Sequence, residues 1–275
     1  MSWAGLNGTD TSLAESPFES ARFEATVSRL VVGQHSERGN AATEALASAL
    51  ETSNQDLIIC RWPGERIELA AAAARSSRII LPADTLAYWE IPVGELQLTE
   101  PIGEPHVAVR VANLATPAIS ALLETIISDS FKNYGNHYAV NPCLDDELAL
   151  RGYIEWAKRS LSDSPDNVLL MYKADLPIGI ATICSDGRDL EVELAGIVTA
   201  QQGKGLYRVL LAAIGDQAEK LGCARVIIST QVHNVRVQRA WARAGFKPFA
   251  TVSTVHAMSK PFWTQSQRGS LAIDR

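Results

Sequence analysis

The sharpest chemical signal in this chain is a short run, Gln202-Gly203-Lys204-Gly205-Leu206, between an apolar strand and an apolar helix. Glycines at 203 and 205 let the backbone turn tightly and come close to a ligand. The first amides of the following helix have no partner within the helix, and the helix dipole makes that end positive. With Lys204 at the rim they form a cradle for a phosphate. The run is not a P-loop, because no Gly-Lys-Ser/Thr is present. Nor is it the dinucleotide fingerprint, because Arg208 stands where a third glycine is needed. Three other residues could carry protons. Glu193 lies in LEVELAGIV, a strand pattern that puts Leu190, Val192 and Leu194 on one face and Glu191, Glu193 and Ala195 on the other. It precedes the loop and reads as a general base. His137 and His256 are imidazoles whose ordinary pKa suits either proton role. Around His137, Tyr134, Asn136, Tyr138 and Asn141 offer stacking and hydrogen bonds suited to a sugar or another polar ligand. Each feature also has a plainer reading: a tight turn, a solvated carboxylate, a hydrogen-bonded loop or a buried histidine. The residues alone leave both readings open.

The elements around these residues alternate between strand and helix. Apolar or β-branched runs predict strands at 25–32, 56–61, 78–81 and 85–92, with Ala/Leu-rich helices at 41–51 and 65–74. After a Pro/Gly-rich stretch at 100–105 come a strand at 107–111 and helices at 117–131 and 148–161. Strands follow at 168–172, 178–184 and 191–198, then the loop. A helix at 206–221 is closed by Gly222, and a strand at 224–230 comes next. A helix at 235–244 is closed by Gly245, and a strand at 251–258 ends the pattern. The expected organisation is a small α/β domain over 1–104, a larger mixed α/β domain over 105–263 and a tail over 264–275. No internal repeat is visible in the residues, though both halves could be related α/β units.

Composition narrows the class. Of 275 residues, 47% are hydrophobic and 20% charged, as in a globular protein. A net charge of −6 argues against general binding to nucleic acid or to an anionic membrane. Cys60, Cys143, Cys184 and Cys223 are far apart, with no Cys-x-x-Cys pair, so neither a disulfide framework nor a metal site is expected. The first residues lack the basic and apolar segments of a signal peptide, and no apolar run is long enough to span a bilayer. A cytoplasmic location follows as the expectation, and a homodimer is left open.

With these elements in order, the second half resembles the GCN5-related N-acetyltransferases (GNAT). In that family a Gln/Arg-x-x-Gly-x-Gly/Ala loop holds the pyrophosphate of acetyl-CoA, and here Gln202 and Gly205 match while Tyr207 replaces a small residue. In STQVHNVRVQRAWARAGFKPF, Asn234 and Gly245-Phe246 match the family's next markers. The resemblance implies a GNAT-like mixed sheet flanked by helices and preceded by the smaller α/β domain. It implies acetyl-CoA as cofactor, held by Gln202, Gly203, Lys204, Gly205, Leu206, Tyr207, Asn234 and Trp241. A backbone amide at Ile197 or Val198 would polarise the thioester. The tyrosine that commonly serves as acid is replaced by Trp241, whose indole N–H has no usable acidity. The acid then falls to Tyr207, His137, His256 or water. ESPFESARFEATVSRL, DTLAYWEIPV and SDSFKNYGNHYAVNP further resemble a two-domain branch that acetylates nucleotide-linked amino deoxysugars, the dTDP-fucosamine type. That implies a small-molecule amine as partner. Two alternatives stand beside it: an acyl enzyme with another donor or acceptor, such as a carrier-linked one, and a domain that binds acyl-CoA without turnover.

Overall fold

The expected alternation is realised in a computed structural model that describes residues 3–97 and 106–265. In chain order the elements begin with α1 (Trp3–Leu6), β1 (Thr11–Glu15), α2 (Pro17–Phe23), β2 (Val27–Val32), α3 (Asn40–Thr52) and β3 (Leu57–Pro63). They continue with α4 (Ile67–Ala74), β4 (Ile79–Pro92), β5 (Val107–Val111), α5 (Pro117–Phe131), α6 (Asp146–Asp163) and β6 (Val168–Lys173). The last are β7 (Leu176–Ser185), β8 (Asp189–Ile197), α7 (Tyr207–Lys220), β9 (Arg225–Gln231), α8 (Val235–Arg243) and β10 (Lys247–Met258). The two strands expected at 78–81 and 85–92 are one long strand, β4. The expected domain boundary at 100–104 and residues 266–275 of the expected tail lie outside the described residues.

The chain divides into two compact units, neither of which is a single stretch. The first comprises Met1–Ala87, Gly135–Ala149 and Ala250–Arg275; the second comprises Tyr88–Tyr134 and Leu150–Phe249. β4 and β10, of 14 and 12 residues, each pass from one unit into the other along the chain.

In the first unit β1 runs antiparallel to β2, β2 parallel to β3, and β3 antiparallel to β10. The sequences of β2 and β3, VSRLVV and LIICRWP, are nearly continuous apolar runs, as a strand covered on both faces requires. Leu46 and Leu50 of α3 and Leu69 of α4 pack on Leu30, Ile58 and Trp62. The parallel pair is closed along its length, from Val27↔Leu57 to Val31↔Arg61.

In the second unit the order is β9-β8-β7-β6-β5, with β8 parallel to β9 and the rest antiparallel. α7 covers one face with Leu210, Leu211, Ile214 and Ala218, whose spacing forms one helical stripe. Burying each of the larger three stabilises the unit by roughly 1.5–3 kcal/mol. The other face is covered by α5 and α6 through Leu123, Ile126, Ile127, Ala157 and Leu161. The side chain of Thr116 caps α5 by accepting the Ile119 N–H at 3.2 Å, and Pro117 fits the first turn.

A repeat invisible in the residues is present in the topology. β2-α3-β3-α4-β4 and β8-α7-β9-α8-β10 share one order: strand, helix, parallel strand, helix, long strand.

Candidate active site

The second unit opens its parallel pair where the first does not. β7 and β8 pair in step through Ile183↔Val192, and the next pair is Thr182↔Leu194. Glu193 is the extra residue, a β-bulge, which bends a strand and sharpens its twist. Pairing between β8 and β9 ends at the same level, at Val192↔Ile228, although β8 continues to Ile197 and β9 to Gln231. The two strands therefore splay. The closed end is pinned by Arg225, which donates to Asp189 at 2.9 and 2.6 Å and also pairs with Glu90.

The bulge corrects the expected alternation. Leu190 and Val192 enter the core beneath α7, whereas Leu194 enters the core beneath α5 and α6. Past an inserted residue the period-2 pattern changes face. Glu193 turns to the same side as Leu194, where its carboxylate accepts a hydrogen bond from Ser160 Oγ of α6 at 3.2 Å. At Gly196 the end of α5 comes so close that an added Cβ would lie 2.9 Å from the Phe131 ring.

Of the two amides expected to face a ligand, one is occupied. The Val198 N–H donates to the Ile178 carbonyl at 2.9 Å. Because successive amides of a strand point to opposite sides, the Ile197 N–H is directed toward the gap.

The glycine loop sits at the open end. Gly203 and Gly205 have φ of +79° and +74°, the left-handed region that glycine adopts without steric cost. Gln202 donates from Nε2 to the Ile197 carbonyl at 2.9 Å, which ties the loop to the end of β8. Thr199 is anchored through its N–H on the Asp129 carboxylate of α5. Lys204 is joined by two cations that the sequence reading did not assign. Arg236 of α8 donates to Gln202 Oε1 at 3.3 Å and lies near Gly203, and Arg208 lies near Gly205 with a buried Nε that has no partner. Three cations around the start of α7 suit a multiply charged anion, although the Arg208 and Val209 amides turn back onto the Gly205 and Leu206 carbonyls.

A polar group lies between the splayed strands. Tyr134 Oη and Asn234 Nδ2 both reach Thr230 Oγ1, at 2.9 and 3.0 Å. Trp241, buried in α8, donates its indole N–H to Tyr207 Oη at 3.3 Å and packs edge-on against Trp89. Burial pushes the Tyr207 hydroxyl up to about 12, so it keeps its proton at neutral pH. Thr230 and Ser160 carry no motif, and only the fold shows what they join.

The remaining candidates belong to the first unit. Asn141 Oδ1 accepts the Cys143 N–H, so its amide nitrogen faces His256 Nδ1, at 2.8 Å. His256 then carries its proton on Nε2 and donates to His137 Nδ1 at 2.9 Å. His137 stacks on Tyr138 with ring centroids 3.8 Å apart, and the Tyr138 hydroxyl binds the Glu19 carboxylate, which Arg29 holds on both oxygens. Asn136 closes the loop by accepting the Tyr138 and Ala139 amides. Burial and the nearby Arg61 charge hold His256 down to about 3 and His137 well below its ordinary value. Both are neutral at physiological pH, against the expected near-neutral titration. The expected cluster is thus divided: Tyr134 stands with Glu193 and Tyr207 in the second unit, and Asn136, His137, Tyr138, Asn141 and His256 in the first.

Among the described residues no group of three or more His, Cys, Asp or Glu could hold a metal ion. No described helix is long and apolar enough to cross a membrane.

Residues 123–246 match the model of the acetyltransferase (GNAT) family. None of the curated proteins matches the chain by sequence. Among solved structures the chain is similar to a GCN5-related N-acetyltransferase from Sphaerobacter thermophilus, at 12% identity and TM-score 0.59 over 90% of this chain and 76% of that one. It is similar to a tandem GNAT protein of the clavulanic acid biosynthesis pathway, at 11% identity and TM-score 0.53 over 84% of this chain and 75% of that one. It is also similar to the glucosamine N-acetyltransferase region of a fungal multi-domain β-N-acetylglucosaminidase, at 10% identity and TM-score 0.59 over 90% of this chain and 31% of that one. The chain has the GNAT acetyltransferase fold, a mixed α/β architecture.

Proposed function

We propose that this protein transfers an acetyl group from acetyl-CoA to the amine of a small molecule. The observation that carries the reading is the splay of β8 from β9 with a cationic glycine loop at its open end. The residues fit the cofactor. Gln202, Gly203, Lys204, Gly205, Leu206 and the start of α7 would hold its pyrophosphate, assisted by Arg208 and Arg236. The Ile197 N–H would hold its carbonyl, and Asn234 and Trp241 would border its arm. Acetyl-CoA supplies an activated acyl carbon and a thiolate leaving group.

The chain's own residues do the rest. Glu193 takes the proton of the attacking amine, and its hydrogen bond from Ser160 fixes the carboxylate. Tyr207, protonated and oriented by the Trp241 N–H, offers a hydroxyl for the departing sulfur. In this reading His137 and His256 are structural. The leading acceptor is the amine of a nucleotide-linked sugar, supported by the three short segments that resemble that branch.

Calorimetry with acetyl-CoA, followed by thiol release with a panel of amino sugars, tests the reading. Binding with release on one acceptor class supports it. Binding without release on any amine makes the protein an acyl-CoA binder, and absence of binding removes both.

A further inference from the structure

The length of acyl chain that the splay admits is written in one contact. Tyr134 is rooted on the α5 side of the sheet, where its ring lies 5.3 Å from that of Phe131 and 6.1 Å from that of Tyr153. Thr230 has the same parity on β9 as Val226 and Ile228, whose side chains enter the opposite core beneath α7. Tyr134 Oη nevertheless lies 2.9 Å from Thr230 Oγ1. A contact between groups rooted on opposite faces passes between strands. Extending the register places Thr230 beside Leu194, two positions beyond the last pair, Val192↔Ile228, where β8 and β9 have already parted. Tyr207, on the α7 side, also feels the Tyr134 hydroxyl. The phenol therefore crosses the gap close to its closed end.

Resting on the proposed acyl transfer, we propose that the Tyr134–Thr230 bridge is the end wall of the acyl site and restricts the protein to short acyl chains. The Ile197 amide is three residues beyond Leu194, about 10 Å along a strand. With a contact distance of roughly 3.5 Å at each end, the space between holds about four carbons or fewer. Aromatic neighbours on Tyr134 and a second hydrogen bond to Thr230 from Asn234 make the wall rigid.

The test is calorimetric titration of the full chain with CoA, acetyl-CoA and octanoyl-CoA. The wild type should bind acetyl-CoA at least about tenfold more tightly than octanoyl-CoA, since a tight pocket rejects surplus methylenes by about that factor or more. Tyr134→Ala should abolish the discrimination while leaving the affinity for CoA itself unchanged. Tyr134→Leu, which keeps an apolar contact with Phe131 and Tyr153 but lacks the reach and the hydroxyl, should do the same if the alanine variant does not fold. Equal wild-type affinity for the two acyl-CoAs, or discrimination retained in the folded variants, overturns the wall. Failure of CoA itself to bind overturns the proposed function and this inference with it.

Discussion

The two parallel strand pairs of this protein are built in the same order and finished differently. β2 and β3 are zipped from Val27↔Leu57 to Val31↔Arg61, and their runs of Val, Leu and Ile give a closed core. β8 and β9 begin as firmly, with Arg225 clasping Asp189, but a single extra residue, Glu193, ends the pairing at Val192↔Ile228. Each following helix has a positive-φ glycine just ahead of it, Gly39 before α3 and Gly205 before α7. A glycine turn is therefore not enough to make a site. What distinguishes the second unit is the bulge, the gap it opens and the cations gathered at its mouth.

The comparison can be broken at the glycines. Gly205→Val forces a branched side chain into the left-handed region beside Arg208. Acetyl-CoA affinity should fall about 100-fold, or ~2.7 kcal/mol, by calorimetry. Gly39→Val should lower the melting temperature and leave that affinity unchanged; equal losses in the two variants would erase the distinction between the loops. At the bulge, Glu193→Gln keeps an acceptor for Ser160 but removes the base. Turnover with a working amine should drop about 100-fold with acetyl-CoA affinity little altered.

The first unit should show itself through pH. His137 and His256 are buried neutral beside Arg61, so the unfolded chain binds more protons than the folded one. Their contribution is fully present above the ordinary value of 6.5 and is lost as the pH falls toward about 3 for His256. Melting curves between pH 7 and pH 4 should show this decline, and His256→Gln should flatten it. The smallest effect is expected at Trp241. Trp241→Phe removes the N–H that orients the Tyr207 hydroxyl, at a cost of about 1 kcal/mol, and should lower turnover about fivefold. Unchanged turnover would show that the indole does not act through Tyr207.

Much of the fold was legible because helices such as α5 and α7 carry an apolar stripe of the right period, and α5 starts at Thr116-Pro117 while α7 is followed by Gly222. The glycine loop was legible for the same reason: its chemistry is local. The face of Leu194 was misread because a bulge adds no residue type of its own; it exists only in the register with β7. His137 and His256 read as proton carriers because an imidazole in a sequence does not show its burial. Thr230, Ser160 and Arg236 went unassigned because their meaning lies in partners far away in the chain, Tyr134, Glu193 and Gln202. The repeat of strand and helix order was open in the sequence only as two α/β halves, because sequence can drift while topology holds.

Hydrogen–deuterium exchange with and without saturating acetyl-CoA tests the central claim most directly, because it reads both strand pairs in one experiment. Exchange at 193–197 and 229–231 should slow on addition of acetyl-CoA, while 27–31 and 57–61 stay unchanged. Unaltered exchange at 193–197 under saturation, or protection of β2 and β3 instead, would contradict the assignment of the splay as the acyl site.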